Sequence, residues 1–98
     1  MSNESRIPII DLELAKRLHK ALTASSDELF QVLTDPDMQV LRSTFKNQNI
    51  NEDHLLTLLK RRDLTEELLK AIYQLDVSKR SHRLQFALVK NPNTPGPV

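Results

Sequence analysis

A short phrase that begins with a basic residue occurs three times in this chain, and each copy carries a signal for the start of an α-helix. The copies read KNQNINEDHLL from Lys46, KRRDLTEELL from Lys60 and KNPNTPGPV from position 90. Within them, the side-chain oxygens of Asn51, Thr65 and Thr94 can each accept a hydrogen bond from an unpaired amide of a first helical turn. The phrase therefore predicts a succession of short helices.

The residues around these caps agree with helix starts. Acidic pairs follow Asn51 and Thr65, where they suit the positive end of a helix dipole. Apolar residues one position before and four positions after each of these caps have the spacing of a hydrophobic staple. Thr94 is followed by Pro95, which is preferred at the first helical position. Because only three residues follow Pro95, we expect that the chain is a fragment or that its C-terminus abuts another chain.

The composition favours helices over sheets. The chain has 98 residues, a single glycine and 4% aromatic residues, whereas sandwiches and barrels need glycine-rich turns and β-branched or aromatic strands. It contains no cysteine, which excludes disulfides and thiolate metal sites. No apolar run reaches the length of a membrane span or a signal peptide. We therefore expect an all-α protein of the cytoplasm.

The apolar spacing predicts about six short helices packed as antiparallel pairs, in a HEAT-like, α-solenoid-like arrangement. We expect a flexible tail over residues 1–8, a single helical domain over 9–90, and a loop or the start of a missing further helix over 91–98. The predicted helices run over about 12–23 with Asp11 as cap, from Ser25 to before Asp35, over 36–46 with Asp35 as cap, and over 52–61, 66–75 and 77–90. The predicted core residues are Leu14, Leu18, Leu22, Leu29, Phe30, Leu33, Met38, Leu41, Phe45, Leu55, Leu56, Leu58, Leu59, Leu68, Leu69, Ile72, Tyr73, Leu84 and Leu88.

The last predicted helix is apolar on two sides. Leu84 and Leu88 lie on one side, while Phe86 and Val89 lie nearly on another. Such a helix requires neighbours on two sides. Either the N-terminal segment covers the second side, or a following helix does.

The spacing of the phrases agrees with a helical repeat. The first and third copies are 44 residues apart (46 to 90), within the period of HEAT and armadillo arrays. The stretch ALVKNPNTPGPV resembles the N-P-x-T-P box of bacterial HEAT-like helical repeats, including the leucine-rich-repeat-variant type, through Asn91-Pro92 and Thr94-Pro95. The earlier copies depart from that box, since Gln48 and Asn51 replace its prolines. The resemblance, which covers at most residues 40–98, implies an α-solenoid-like module that binds other macromolecules and has no catalytic residues.

The residues that usually carry catalysis or metal binding are not arranged for either. His19, His54 and His82 lack the spacing of a metal-binding helix, and we expect them on the surface. The acidic pairs are consecutive on a helix, so their members do not face each other. The single glycine, Gly96, cannot form a phosphate-binding loop. The sequence therefore predicts no enzyme, no cofactor and no metal.

Charge is the one feature that points towards a particular kind of partner. Residues 1–37 hold four basic and seven acidic residues, whereas residues 38–98 hold ten basic and six acidic ones. The basic residues that could bind an anionic partner are Lys60, Arg61, Arg62, Lys79, Arg80 and Arg83. The first cluster lies at a predicted helix C-terminus, where the dipole favours cations. The second lies at a predicted N-terminus, where it does not, and a binding role would explain that placement.

Two functions therefore stay open. The first is a module for protein–protein interaction. The second is a small helical domain that associates with DNA or RNA through the basic residues. Against the second, aromatic residues do not alternate with the basic clusters as in single-strand binders, and the calculated pI of about 8.1 is only mildly basic.

Overall fold

The structure describes residues 9–94, and within that range all regular secondary structure is helical. In this computed structural model the side chains are described from Leu12 onward. The all-α prediction is confirmed, with seven helices in the described range rather than six. They are α1 (Ile9–Thr23), α2 (Ser26–Val32), α3 (Met38–Thr44), α4 (Glu52–Leu58), α5 (Glu66–Tyr73), α6 (Asp76–Arg80) and α7 (His82–Lys90). The predicted tail over residues 1–8 and the helix start predicted at Pro95 lie outside the described residues.

Three helix starts lie where the sequence predicts them. Ser25 caps α2 in a capping box, and the Glu28 carboxylate accepts a 2.9 Å hydrogen bond from the Ser25 amide. Thr65 caps α5 through its side-chain oxygen. Asn51 caps α4, and the imidazole of His54 closes this box. Each cap satisfies amides that the first turn of a helix leaves unpaired.

His54 is buried, so the prediction that it lies on the surface is wrong. Its Nδ1 accepts a 3.0 Å hydrogen bond from the Asn51 amide, and its Nε2 is 2.7 Å from the carbonyl oxygen of Ser26. A carbonyl oxygen can only accept, so Nε2 carries the proton and the ring is neutral. The Phe30 ring lies against it, with 4.4 Å between centroids. His54 thereby joins α4 to α2.

The start of α1 is earlier than predicted. The helix begins at Ile9, and Asp11 lies inside it rather than at its cap. The reason is visible in the spacing, because Ile10 extends the apolar series of Leu14 and Leu18 by one turn towards the N-terminus.

Asp35 organises the turn after α2 and does not cap the next helix as predicted. Its carboxylate accepts two 3.0 Å hydrogen bonds from the Arg17 guanidinium and one of 2.8 Å from the Asp37 amide. These bonds, those from Arg17 first, hold the pKa of Asp35 below its usual range, because they favour the charged form. Asp37 caps α3 instead. With Asp35 bound to α1, α3 begins two residues after Pro36.

The predicted helix over residues 77–90 is broken at Ser81 into α6 and α7. Ser81 is extended, with φ −114° and ψ 113°, and its hydroxyl oxygen accepts a hydrogen bond from the Leu84 amide. The same hydroxyl donates a 2.6 Å hydrogen bond to the carboxylate of Glu52. A serine side chain can compete with the helix for backbone amides, and here the contact with α4 stabilises that alternative.

The chain forms two halves that share one pattern of hydrogen bonds: the first half is α1–α3 with the turn that follows, and the second half is α4–α7 with the turn that follows. In the first half, the Asn47 amide group donates two hydrogen bonds, of 3.0 and 2.9 Å, to the end of α1. In the second half, Asn91 donates two of 3.0 Å to the end of α4. Each Oδ1 accepts a bond from the amide of Asn49 or Asn93. The acceptor carbonyl groups are those of Ala21, Ala24, Leu59 and Arg61.

These bonds define which positions of the two halves correspond. Asn49 and Asn93, which are 44 residues apart, donate to the carbonyl groups of Ala24 and Leu64, which are 40 residues apart (24 to 64). Ala24 and Leu64 each directly precede a helix cap. Corresponding residues are therefore 40 apart in α2 and α5, and 44 apart in α3 and α7. The difference is an insertion of four residues between α5 and α7, where α6 lies.

The helices pack mainly with partners that are not adjacent in sequence. α1 packs mainly against α3, and α4 against α7. α4 and α7 start at the same end, since Ser81 binds Glu52 there and Asn91 binds the opposite end of α4. The predicted packing as antiparallel pairs therefore does not describe these two helices. Between the halves, α2 contacts α4 and α3 contacts α5, so the second half covers one side of the first.

The core is made largely of leucines, most of them predicted. Its buried cluster comprises Leu33, Leu41, Leu55, Leu58, Leu59, Leu64, Leu68, Leu69, Ile72, Leu84 and Leu88. Leu22, Phe30 and Tyr73, predicted to be buried, are exposed. On α1 the buried positions are Ala21 and the adjoining Ala24, because the Asn47 side chain binds their carbonyl groups and leaves room only for small side chains.

Candidate interaction sites

The fold divides the predicted anion-binding residues among three environments. Lys60, Arg62 and Arg83 line one groove between α4 and α7. Arg61 binds the end of α2. The remaining two lie in the last turn of α6. The two sequence clusters therefore do not form one surface.

Arg61 joins the two halves of the molecule. Its Nη1 donates 2.8 Å hydrogen bonds to the carbonyl oxygens of Leu33 and Asp35, just after α2. Its Nε and Nη2 donate to the Asp63 carboxylate at 2.9 and 2.6 Å. The bonds to Asp63 raise the pKa of Arg61 and lower the pKa of Asp63, because each favours the charged form of the other. Arg61 thus satisfies carbonyl groups that a helix end leaves unpaired.

The break at Ser81 changes the electrostatic setting of the second basic cluster. Lys79 and Arg80 lie in the last turn of α6, where the dipole favours cations. Arg83 lies in the first turn of α7, where a cation is disfavoured, and its Nη1 is 3.8 Å from the Glu52 carboxylate. The unfavourable placement expected for the whole cluster therefore applies to Arg83, and Glu52 offsets it.

Four cations converge between α4 and α7 in the basic groove, which we define by Lys60, Arg62, Arg83, Phe86 and Lys90. Its volume is about 640 Å³, and none of the described residues that line it is acidic. The Phe86 ring is 65% exposed, and the Lys90 ammonium lies 5.1 Å from its centroid. The groove thus combines positive charge with an exposed aromatic face.

Sequence reasoning missed Lys90 and Phe86 as members of this groove. Lys60 and Lys90 each begin a copy of the repeated phrase, and this common position is the signal that could have identified Lys90. Phe86 belongs to the second apolar side of the last predicted helix, but its proximity to the cations depends on how α4 and α7 pack.

A different groove, between α5 and α7, is mostly apolar. We define this apolar groove by Leu69, Tyr73, Leu88 and Val89; its volume is about 430 Å³. Tyr73 is 58% exposed and Val89 is 75% exposed. Covering of this side by the first helix, one of the two expected arrangements, does not occur, because α1 packs on α3.

The apolar groove corresponds to a surface that is covered in the first half. Tyr73 corresponds to Leu33 (40 residues apart), and Val89 corresponds to Phe45 (44 apart). Leu33 is 2% exposed and Phe45 is half-buried, because α4 packs on α2 and α5 packs on α3. Within residues 9–94, no helix covers the second half in the same way.

The opposite end of the fold is polar. Leu58 and Leu68 are buried in the second half, whereas Lys20 and Glu28 stand at the corresponding positions of α1 and α2, aligned through the carbonyl groups that the asparagines bind. They form an exposed ion pair of 2.9 Å. Hydrogen bonds from the Ser25 amide and from Lys20 lower the pKa of Glu28 to about 2, so this carboxylate is charged at neutral pH. A polar outer face is typical of the terminal unit of a helical array.

Other kinds of site find little support in the described part of the chain. No group of three or more His, Asp or Glu side chains in residues 9–94 could hold a metal ion. No helix in that range is long and apolar enough to cross a membrane. Comparison with known protein families, curated proteins and solved structures finds no match. The two grooves are therefore the basis for assigning a function.

Proposed function

We propose that this chain is a non-catalytic helical-repeat module that mediates protein–protein interaction. The observation that carries the proposal is the exposure of Tyr73 and Val89 on a surface whose counterpart is covered in the first half. Exposed contiguous apolar surface marks sites of protein interaction. The repeated asparagine bonds support the helical-repeat part of the proposal.

The same bonds supply a rigid scaffold for such a surface. Asn91 ties the end of α7 to the end of α4, and Asn93 binds the chain that leads into α5. The two helices that form the apolar groove are thus held at both sides of the turn. A preformed surface loses little conformational freedom on binding, which favours its use as a docking site.

Site-specific photocrosslinking tests the proposal in the cells that naturally produce the protein. A benzophenone amino acid replaces Tyr73 in the apolar groove, where the aromatic side chain is exposed and its replacement should not disturb the core. We expect crosslinks to a discrete protein that resist nuclease treatment. The matched control places the same amino acid at Gln31, on the polar end, and should yield no such adduct. Equal adducts at both positions, or none at Tyr73, would contradict the proposal.

The second candidate function is association with single-stranded nucleic acid through the basic groove. The observation that favours it is the exposed Phe86 ring among four cations, since single-strand binders combine a positive groove with aromatic side chains that stack on bases. In the sequence, the basic clusters lack this aromatic neighbour. The fold provides it.

Neutralising the groove should change how binding depends on salt. We expect the double variant Arg62→Gln with Lys90→Gln to lower the slope of log affinity against log salt by about two, because each phosphate contact contributes about one. The control, Lys79→Gln with Arg80→Gln, removes the same charge from α6 and should leave the slope unchanged. Fluorescence anisotropy with a labelled oligonucleotide measures both. Equal losses in the two variants would indicate a general charge effect and would exclude the groove.

A further inference from the structure

We infer that the apolar groove binds one amphipathic α-helix of a partner protein, with an acidic side chain on that helix facing Lys70. The partner helix takes the position on α5 that α4 takes on α2. This inference rests on the proposed function and deepens it, because it states what kind of segment binds and how.

The first half of the molecule shows what occupies a surface of this kind. There α4 lies on α2, with His54 against the Phe30 ring and Leu58 beside Leu33. His54 and Leu58 are four residues apart, so they lie on one face of the helix. The occupant of the corresponding surface is therefore expected to present two side chains at the same spacing.

The differences between the two surfaces define the chemistry of the occupant. Phe30 corresponds to Lys70, which lines the apolar groove. The side chain of the partner at the position of His54 thus meets an ammonium group rather than an aromatic ring. An acidic residue there would form an ion pair at the edge of an apolar contact, which favours the correct partner and register.

The apolar part of the occupant follows from the other two substitutions. Leu33 corresponds to the larger Tyr73, and Phe45 to the smaller Val89. The smaller valine leaves space on the α7 side of the groove, so a large apolar residue, four positions after the acid, fits there. The occupant is thus a helix with an acid and a bulky apolar residue at i and i+4.

A second copy of this chain is not the expected occupant. Head-to-tail stacking would bring the polar end, with its Lys20–Glu28 ion pair, onto the apolar groove. That contact would remove both charges from water without a new partner, which is unfavourable. A separate protein with an amphipathic helix avoids this penalty.

The probe is a synthetic peptide with the sequence of residues 51–63, which contain α4. A hydrocarbon cross-link between positions 53 and 57, both exposed in the protein, holds the helix, because isolated helices of this length are marginal. Three versions are compared, with histidine, His54→Glu or His54→Lys. Binding to the full chain is measured by fluorescence anisotropy, and the contact surface by amide chemical-shift changes.

We expect the His54→Glu peptide to bind about fivefold or more tightly than the His54→Lys peptide, as for a partly exposed ion pair set against a like-charge pair. In the Lys70→Glu protein the order should reverse. Val89→Asp should weaken every peptide by about tenfold or more, because a carboxylate then faces an apolar contact. The matched control is Phe86→Asp, an exposed position three residues away on the other side of α7, which should leave binding unchanged.

Several outcomes would overturn the inference. These are the absence of binding by all three peptides, a charge preference that Lys70→Glu does not reverse, or equal losses in Val89→Asp and Phe86→Asp. Sedimentation of the protein alone covers the second-copy alternative: self-association abolished by Val89→Asp would show that another copy fills the groove. If the peptides fail while photocrosslinking at Tyr73 still captures a protein, the helix mode is wrong and the interaction function stands.

Discussion

Asn91→Ala should lower the free energy of unfolding by about 2–4 kcal/mol, because it leaves two inaccessible carbonyl groups without donors, at about 1–3 kcal/mol each. Asn91 is 5% exposed, and its amide group donates 3.0 Å hydrogen bonds to the carbonyl oxygens of Leu59 and Arg61. Its Oδ1 also accepts the bond from the Asn93 amide. Urea unfolding followed by far-ultraviolet circular dichroism measures the change.

Two further substitutions separate the contribution of the donors from that of side-chain size. Asn91→Asp keeps an acceptor for the Asn93 amide but places oxygen against the carbonyl groups, so it should destabilise at least as much as Asn91→Ala. Gln48→Ala, which shortens an exposed amide side chain in the equivalent turn, should change stability by less than about 0.5 kcal/mol. If Asn91→Asp were as stable as the natural chain, the hydrogen bonds to α4 would not support the fold.

Leu69→Ala should destabilise the protein by about 2–4 kcal/mol, the range for truncation of a buried leucine. Leu69 is buried on α5 and belongs to the cluster that joins both halves. Its side chain forms the floor of the apolar groove, so the truncation opens space that the neighbouring helices can fill only in part. The midpoint of denaturant unfolding reports the loss.

The control is Val89→Ala on the wall of the same groove. Because Val89 is mostly exposed, its truncation should change stability by less than about 0.5 kcal/mol. A change below 0.5 kcal/mol for Leu69→Ala as well would show that the apolar face of α5 is assigned incorrectly.

Helix starts were the part of the fold most accessible from the sequence. Ser25, Asn51 and Thr65 cap the helices predicted for them, because a cap depends on residues within one turn. The start of α3 was predicted less well: Asp35 has the right chemistry to cap it, but Arg17 from another helix binds its carboxylate. Ser81 is the converse case, since a contact with Glu52 supports a break that the local spacing does not indicate.

The candidate sites were predictable only in part. The sequence identified Lys60, Arg62 and Arg83 as candidates, and the fold brings them into one groove. It gave no reason to separate Arg61 from them, because the carbonyl groups that Arg61 binds lie 26 and 28 residues away. The sequence indicated that Phe86 and Val89 would need cover, but their division between two different grooves depends on the packing of α7 against both α4 and α5.

The sequence by itself determined that this protein is helical, where several of its helices begin and which leucines form most of its core, because capping and apolar periodicity act over a few residues. Only the tertiary structure decided what the asparagines of the repeated phrase do. Asn47 and Asn91 hold the ends of helices that lie 23 to 32 residues earlier, and these bonds require both partners to be in place. The same holds for the two grooves, since a surface between helices exists only once the chain has packed.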